Sequence, residues 1–133
     1  MSKIVISEFM DEQAAASLSD RFSVAFDTTL VEDRQALLAA VADAEGLVVR
    51  NRTQVDAELL EAAPRLRVVG RLGVGLDNID LAACEARGVA VKPAHGGNGS
   101  SVAEYVLTAA LLLRRRAYFA SPAMLDGEWP RGH

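Results

Sequence analysis

Residues 46–70 read GLVVRNRTQVDAELLEAAPRLRVVG, and this stretch decides the fold. It opens on the branched apolar run Leu47–Val49 and passes through the polar turn Arg50-Asn51-Arg52. An alanine- and leucine-rich segment follows from Asp56 to Ala63, and after Pro64 the chain returns to an apolar run at Arg67–Val69. Short β-branched runs read as strands, and the longer alanine- and leucine-rich segment reads as a helix. The Asp56 carboxylate is placed to accept hydrogen bonds from the free amides of a first helical turn, and Pro64 suits the end of that helix. The unit is therefore strand, helix, strand, which in one sheet means parallel strands joined by a right-handed crossover.

The same alternation continues on both sides. Further strands are expected at Ile4–Ile6, Ser23–Phe26 and Val89–Val91, and further helices at Asp11–Asp20, Asp33–Ala42 and Asp80–Arg87, each opened by an aspartate. Gly88 is a suitable terminator for the last of these. Near-continuous apolar strands alternating with helices predict an α/β domain with a sheet covered on both faces. Five strands point to a flavodoxin-like, doubly wound parallel sheet over residues 1–100, whose ligands bind beyond the carboxyl ends of the strands.

A separate helix is expected from Ser101, where Ser101-Val-Ala-Glu104 has the form of a capping box. From Val102 to Leu113 only Glu104 and Thr108 are polar, which predicts a long apolar C-terminal helix with Arg114, Arg115 and Arg116 favouring its C-terminal dipole. Such a helix needs cover on every side, either as a central core helix or, through its outer face, as a contact for another domain or subunit. Residues 101–133 then form a helix and an irregular tail, with Trp129 as an anchor.

Bulk composition narrows the function. The 133 residues are 50% hydrophobic and 24% charged, which fits one globular core. A net charge of −4 speaks against a broad nucleic-acid surface. Cys84 is the single cysteine, so no intrachain disulfide forms, and with only His95 and His133 beside it no zinc-ligand spacing exists. The N-terminus lacks a signal-peptide core and no apolar run reaches membrane-spanning length, so a cytoplasmic protein without metal or membrane attachment is expected.

Three loops at the expected ligand edge could carry chemistry. Arg50, after the third strand, could hold a carboxylate in its planar fork, or could be a solvated arginine paired with a neighbouring acid. After the fourth strand, the paired glycines of Gly73-Val74-Gly75 could bring backbone amides onto a carboxylate, or could form a plain tight turn. The same loop fails as a dinucleotide fingerprint, because Asn78 stands where the third glycine would be. The third loop, Lys92-Pro-Ala-His95-Gly-Gly-Asn98-Gly-Ser100, has the composition of a hinge, and nothing in the sequence gives His95 a proton-transfer partner.

Two families compete for this pattern. Lys92-Pro93 together with Glu8 and Asp11 imitates the acidic pocket of a response-regulator receiver, yet Arg50 occupies the place of the phosphorylated aspartate. Arg71 and Leu72 stand where a serine or threonine hydroxyl is needed. The closer likeness lies in three motifs in register: residues 48–54 (VVRNRTQ), residues 63–80 (APRLRVVGRLGVGLDNID) and residues 101–105 (SVAEY). With these the chain resembles the N-terminal substrate-binding, or catalytic, domain of D-isomer-specific 2-hydroxyacid dehydrogenases of the phosphoglycerate dehydrogenase kind. The likeness runs from the first strand to residues 126–131 (DGEWPR).

That resemblance implies Arg50 and Asn51 as substrate contacts and the backbone of Gly73, Val74 and Gly75 as the holder of the substrate carboxylate. It also implies Val74 and Ser101 as positions near an NAD or NADP coenzyme, and the helix from Ser101 as a support for a homodimer or a nucleotide-binding domain. The family's coenzyme loop and proton relay would follow His133, so the isolated chain is expected to be truncated and inactive, with no catalytic residue of its own. His95 stands where many relatives have proline, a departure from the family pattern that leaves loop shape and substrate preference open. The competing expectation is a stand-alone module that binds small carboxylates or a partner chain without catalysis.

Overall fold

The computed structural model describes residues 1–115 and 121–128, in two units, Met1–Gly96 and Gly97–His133. The first unit is a five-stranded parallel sheet: β1 (Lys3–Ile6), β2 (Ser23–Phe26), β3 (Gly46–Val49), β4 (Val68–Arg71) and β5 (Ala90–Pro93). They lie in the order β2-β1-β3-β4-β5, the order in which flavodoxin-like sheets are wound. Every neighbouring pair is parallel, with Val5 opposite Leu47, Leu47 opposite Val69 and Val69 opposite Val91.

The connecting helices are α1 (Glu12–Ser19), α2 (Arg34–Val41), α3 (Ala57–Ala62) and α4 (Leu81–Ala86). Each starts immediately after an aspartate whose carboxylate accepts an N–H from the first turn. Asp11 takes Ala14 N at 2.9 Å, Asp33 takes Ala36 N at 3.0 Å, Asp56 takes Leu59 N at 3.0 Å and Asp80 takes Ala83 N at 2.9 Å. The expected acid-opened helices thus form as capped helices. Asp80→Ala, which removes one such cap from a six-residue helix, is expected to lower stability by about 1 kcal/mol in urea denaturation, with Asp80→Asn retaining most of it.

The core lies between the sheet and α2, α3 and α4. Val5, Leu47, Val49 and Val69 project from one sheet face onto Leu37, Val41, Leu59, Leu60 and Cys84. Because the sheet is wound outward in both directions from β1, right-handed crossovers place α1 on the opposite face. Within this unit that face is thinly covered: Val68 and Ala90 are exposed. The buried Cys84 thiol is pushed up in pKa by desolvation and by the nearby Asp80 carboxylate, which keeps it in the unreactive protonated form.

Four details depart from the expectations. A short 3₁₀ turn at Thr28–Val31 follows Asp27, which accepts Thr29 N at 2.8 Å. An aspartate followed by two threonines prefers such local closure to continued strand. The fourth strand runs on through Gly70 and Arg71, since ladder pairing with Val48 and Val49 outweighs the glycine signal. In the second unit α5 spans Gly99–Arg115 and begins two residues earlier than expected: Val102 N donates to the Asn98 carbonyl oxygen at 3.0 Å, so Ser101 lies inside the first turn and forms no capping box. The helix is long, but cover on every side is not what its residues show: none is buried, and Val102, Tyr105, Val106, Leu107 and Leu113 are more than half exposed. A further short helix, α6, covers Ser121–Leu125. Arg116 and Trp129 lie outside the described residues, as does the Trp-Pro-Arg end of the 126–131 motif.

Candidate functional site

In a parallel sheet all the strand-to-helix loops leave from one edge, and the Arg50–Thr53 and Leu72–Asn78 loops leave from the adjacent strands β3 and β4. They are stitched together. Leu72 N donates to the Val49 carbonyl oxygen at 2.9 Å, Asn78 Nδ2 to the Thr53 carbonyl oxygen at 2.8 Å, and Val55 N to the Asn78 carbonyl oxygen at 2.9 Å. A single parallel bridge pairs Val55 with Ile79. The two loops are therefore joined by three hydrogen bonds and one bridge.

The Arg50–Thr53 loop is wrapped around a buried carboxylate. Glu8, only 5% exposed at the end of β1, accepts N–H bonds from Arg50 (2.8 Å), Asn51 (3.2 Å), Arg52 (3.1 Å) and Thr53 (2.9 Å). Desolvation pushes the Glu8 carboxyl up, but the combined pull of the Thr53, Arg50 and Arg52 amides and the Thr53 side chain is greater and holds it below its ordinary 4.5. Ser7 Oγ and Thr53 Oγ1 share a hydrogen bond of 3.0 Å beneath the loop.

With the loop amides occupied, the side chains of Arg50, Asn51 and Arg52 face outward, while that of Thr53 is buried. The Arg52 guanidinium is paired with Glu32 at 2.7 Å. Arg50, by contrast, has no carboxylate partner among the described residues, and its guanidinium stacks over the Phe9 ring, 5.9 Å from the centroid. The bland alternative of an acid-paired Arg50 is thus not what forms. Arg50 and Asn51 are exposed and line a shallow cleft of about 230 Å³ with Phe9, Thr28, Arg52 and the Glu8 and Glu32 carboxylates. A larger depression of about 380 Å³ beside it is walled by Glu12 and Asp27 with no basic side chain in its lining, which makes it a poor host for an anion, whereas the Glu8 and Glu32 carboxylates of the first cleft are answered by the loop amides and by Arg52.

The second loop is shaped by Gly73. Its φ of +155° lies in the region that side-chain-bearing residues avoid, and a Cβ there would fall 1.6 Å from Arg71 Nη1. The Gly73 N–H is spent on the Arg71 carbonyl oxygen at 2.9 Å, and the Gly73 carbonyl accepts Ala94 N at 3.0 Å. Of the three backbone positions expected to face a ligand, only the Val74 and Gly75 amides have no hydrogen-bond partner among the described residues. Val74 carries its side chain outward, 46% exposed. Gly73→Ala is expected to cost about 1–3 kcal/mol of stability by calorimetry and to displace Arg71.

Arg71, which sequence reasoning treated only as a missing hydroxyl, lies directly against this loop. Its Nη1 donates to the Leu72 carbonyl oxygen at 3.1 Å, while its buried Nε has no partner. The signal was available: an arginine at the last position of a strand, one residue from Arg50 in strand register, is placed at the same ligand edge. Ser101 stands in the first turn of α5, in the second unit, and His95 is exposed with no side-chain hydrogen bond among the described residues. No group of three or more potential metal ligands occurs among the described residues.

The described residues form no pyrophosphate cradle. The loop after β4 does not open a helix directly, α4 being closed at its N-terminus by Asp80, and the Asp77 carboxylate faces Gly75, where a Cβ would sit 2.9 Å from Oδ1. The geometry is that of an α/β domain whose adjacent loops carry two guanidinium groups without a carboxylate partner, Arg50 and Arg71, and two backbone amides without a hydrogen-bond partner, Val74 and Gly75, among the described residues.

The chain belongs to the D-isomer specific 2-hydroxyacid dehydrogenase family, matching its catalytic domain over residues 4–124. It is 60% identical over 131 residues to an (S)-sulfolactate dehydrogenase of Chromohalobacter salexigens, covering 98% of this chain and 42% of that protein. It is 41% identical over 128 residues to a D-3-phosphoglycerate dehydrogenase of Mycobacterium bovis, covering 96% of this chain and 24% of that protein. Among solved structures, a 2-hydroxyacid dehydrogenase from Ketogulonicigenium vulgare Y25 superposes with a TM-score of 0.80 at 28% identity, over 97% of this chain and 41% of that one. The chain thus spans well under half the length of these relatives.

Proposed function

We propose that this chain is the acid-binding part of an NAD- or NADP-dependent dehydrogenase acting on the CH–OH group of a D-2-hydroxy acid, and that a separate nucleotide-binding domain holds the coenzyme. The observation that carries this reading is the unpaired Arg50 guanidinium over Phe9, on a loop stitched to the free amides of Val74 and Gly75. Those two amides take the substrate carboxylate. Arg50 and Asn51 hold the remainder of the acid, and Arg71 adds positive charge beneath it. Two arginines at adjacent strand ends favour an acid with a second anionic group, such as the sulfonate or phosphate borne by the substrates for which the two relatives above are named.

Val74 and Ser101 are the positions of this chain that would lie toward the coenzyme. Its role is hydride transfer; this chain's residues bind and orient the acid, and none is catalytic. Residues 1–100 serve as the substrate-binding domain and residues 101–133 as the helix and tail that join it to its partner domain. The exposed Val102, Val106 and Leu113 side chains of α5 support a contact with that domain or with a second copy of the chain. A cytoplasmic location suits a single buried thiol.

A second reading, a binding module without catalysis, is favoured by the missing pyrophosphate cradle alone. Fusing the nucleotide-binding domain of the Chromohalobacter relative after residue 133 separates the two. Reduction of NAD with sulfolactate or 3-phosphoglycerate supports the dehydrogenase, whereas a folded fusion that binds these acids but reduces no coenzyme supports the module.

A further inference from the structure

Four consecutive amides that converge on one carboxylate make an anion nest, and here the anion is internal. The N–H groups of Arg50, Asn51, Arg52 and Thr53 all point at Glu8, which approaches from a different strand, 42 to 45 residues away in sequence. Nothing local in the 50–53 sequence demands this shape: residues 51–53 form bends rather than a regular turn, without a glycine or proline. The shape is demanded by Glu8, since a buried carboxylate must satisfy its lone pairs and the loop amides are its only hydrogen-bond donors among the described backbone groups.

We infer that Glu8 is a positioning residue, an internal anion that folds the Arg50–Thr53 loop so that Arg50 and Asn51 face the acid, and that its hold extends to the neighbouring loop through Thr53 and Asn78. Three consequences make the arrangement functional rather than merely stabilising. Glu8 saturates the loop's own amides, so a substrate anion meets guanidinium and side-chain amide instead of competing for backbone. Its neighbour Phe9 stacks on Arg50, so one short segment sets both the backbone and the side chain of that arginine. And because Thr53 accepts from Asn78 while Asn78 accepts from Val55, a displaced 50–53 loop shifts the frame that carries Val74 and Gly75.

This inference rests on the acid-binding reading for its purpose, but its first test does not. In the 133-residue chain, Glu8→Ala is expected to move the amide NMR signals of residues 50–53 while those of Val5, Leu47 and Val69 in the sheet stay in place. Affinity for 3-phosphoglycerate or (S)-sulfolactate, measured calorimetrically, is expected to fall about tenfold or more. Formate at millimolar concentration, entering the vacated nest, is expected to return both the signals and the affinity toward the unsubstituted values in a saturable way, a rescue that loss of packing would not show. Should Glu8→Ala fail to fold, Glu8→Gln keeps the size but turns one acceptor into a donor facing N–H groups, and the same signals are expected to move. Unmoved 50–53 amides in the folded variant, undiminished affinity, or no response to formate would each overturn the role of Glu8. Absence of acid binding by the unsubstituted chain would instead overturn the acid-binding reading, and the ligand-free amide signals would still decide whether Glu8 shapes the loop.

Discussion

Arg50→Ala, introduced into the fusion that carries a nucleotide-binding domain, is expected to lower kcat/KM for the 2-hydroxy acid by about 30- to 5,000-fold. The range follows from removing a guanidinium that pairs with an anion in a site the coenzyme and its domain close off from water. Truncating one partner of such a pair costs about 2–5 kcal/mol, and each 1.36 kcal/mol is a decade in rate. Arg50 has no competing carboxylate, so its interaction energy is not already spent, whereas Arg52 is committed to Glu32. Arg52→Ala therefore serves as the control and is expected to change kcat/KM by only a few-fold. Arg50→Lys keeps the charge but loses the planar fork and the stacking on Phe9, and is expected to fall between the two. Equal kinetics for Arg50→Ala and the unsubstituted fusion would remove Arg50 from the site.

The second large effect concerns stability. Leu59 of α3 is fully buried between the sheet and the neighbouring helices, in the same cluster as Leu37, Leu47, Val49 and Val69. Leu59→Ala leaves a cavity among side chains that the sheet holds rigid, and is expected to cost about 2–5 kcal/mol. A domain of this size has about 5–15 kcal/mol in all, so the variant should unfold at a Tm lower by roughly 10–25 °C in calorimetry, or fail to accumulate. Leu59→Met, which nearly preserves volume, should lose less than about 1.5 kcal/mol. A drop of under 1 kcal/mol for the alanine variant would mean that α3 is not packed as described.

The fold was legible because its determinants are local. Each of α1 to α4 announces itself with an aspartate that caps it, and the strands with short apolar runs between them, so the right-handed crossover rule assembles the sheet with little left to choose. The strand limits slipped by one residue at several starts, and by two at the ends of β4 and β5, where pairing carries the ladder on through Gly70 and Arg71 opposite Lys92 and Pro93. The site was legible in its edge positions, Arg50 and the glycines of the next loop, since any parallel sheet delivers those to one side. What could not be read was long-range: that a glutamate 42 residues before Arg50 supports its loop, that Arg52 takes the nearby acid and leaves Arg50 free, and that Gly73 spends its own amide on Arg71. The capping box at Ser101 failed for the opposite reason, a local motif overridden by a helix that starts two residues earlier.

The aspartate caps have an effect beyond helix stability. A helix that follows a parallel strand starts at the sheet's carboxyl edge, so Asp11, Asp33, Asp56 and Asp80 stand along the same rim as the ligand loops. Asp56 is paired with the Arg34 guanidinium, while Asp11, Asp33 and Asp80 make no ion pair among the described residues and are answered only partly by the half-charge of their helix dipoles, and the chain as a whole carries −4. On the proposed reading, a dianion approaching a chain of net charge −4 is expected to meet weak repulsion beyond a Debye length and attraction only within reach of the Arg50 and Arg71 guanidinium groups. Added salt should then hasten the encounter while weakening the final grip, so that the on-rate and the equilibrium constant respond to ionic strength in opposite directions.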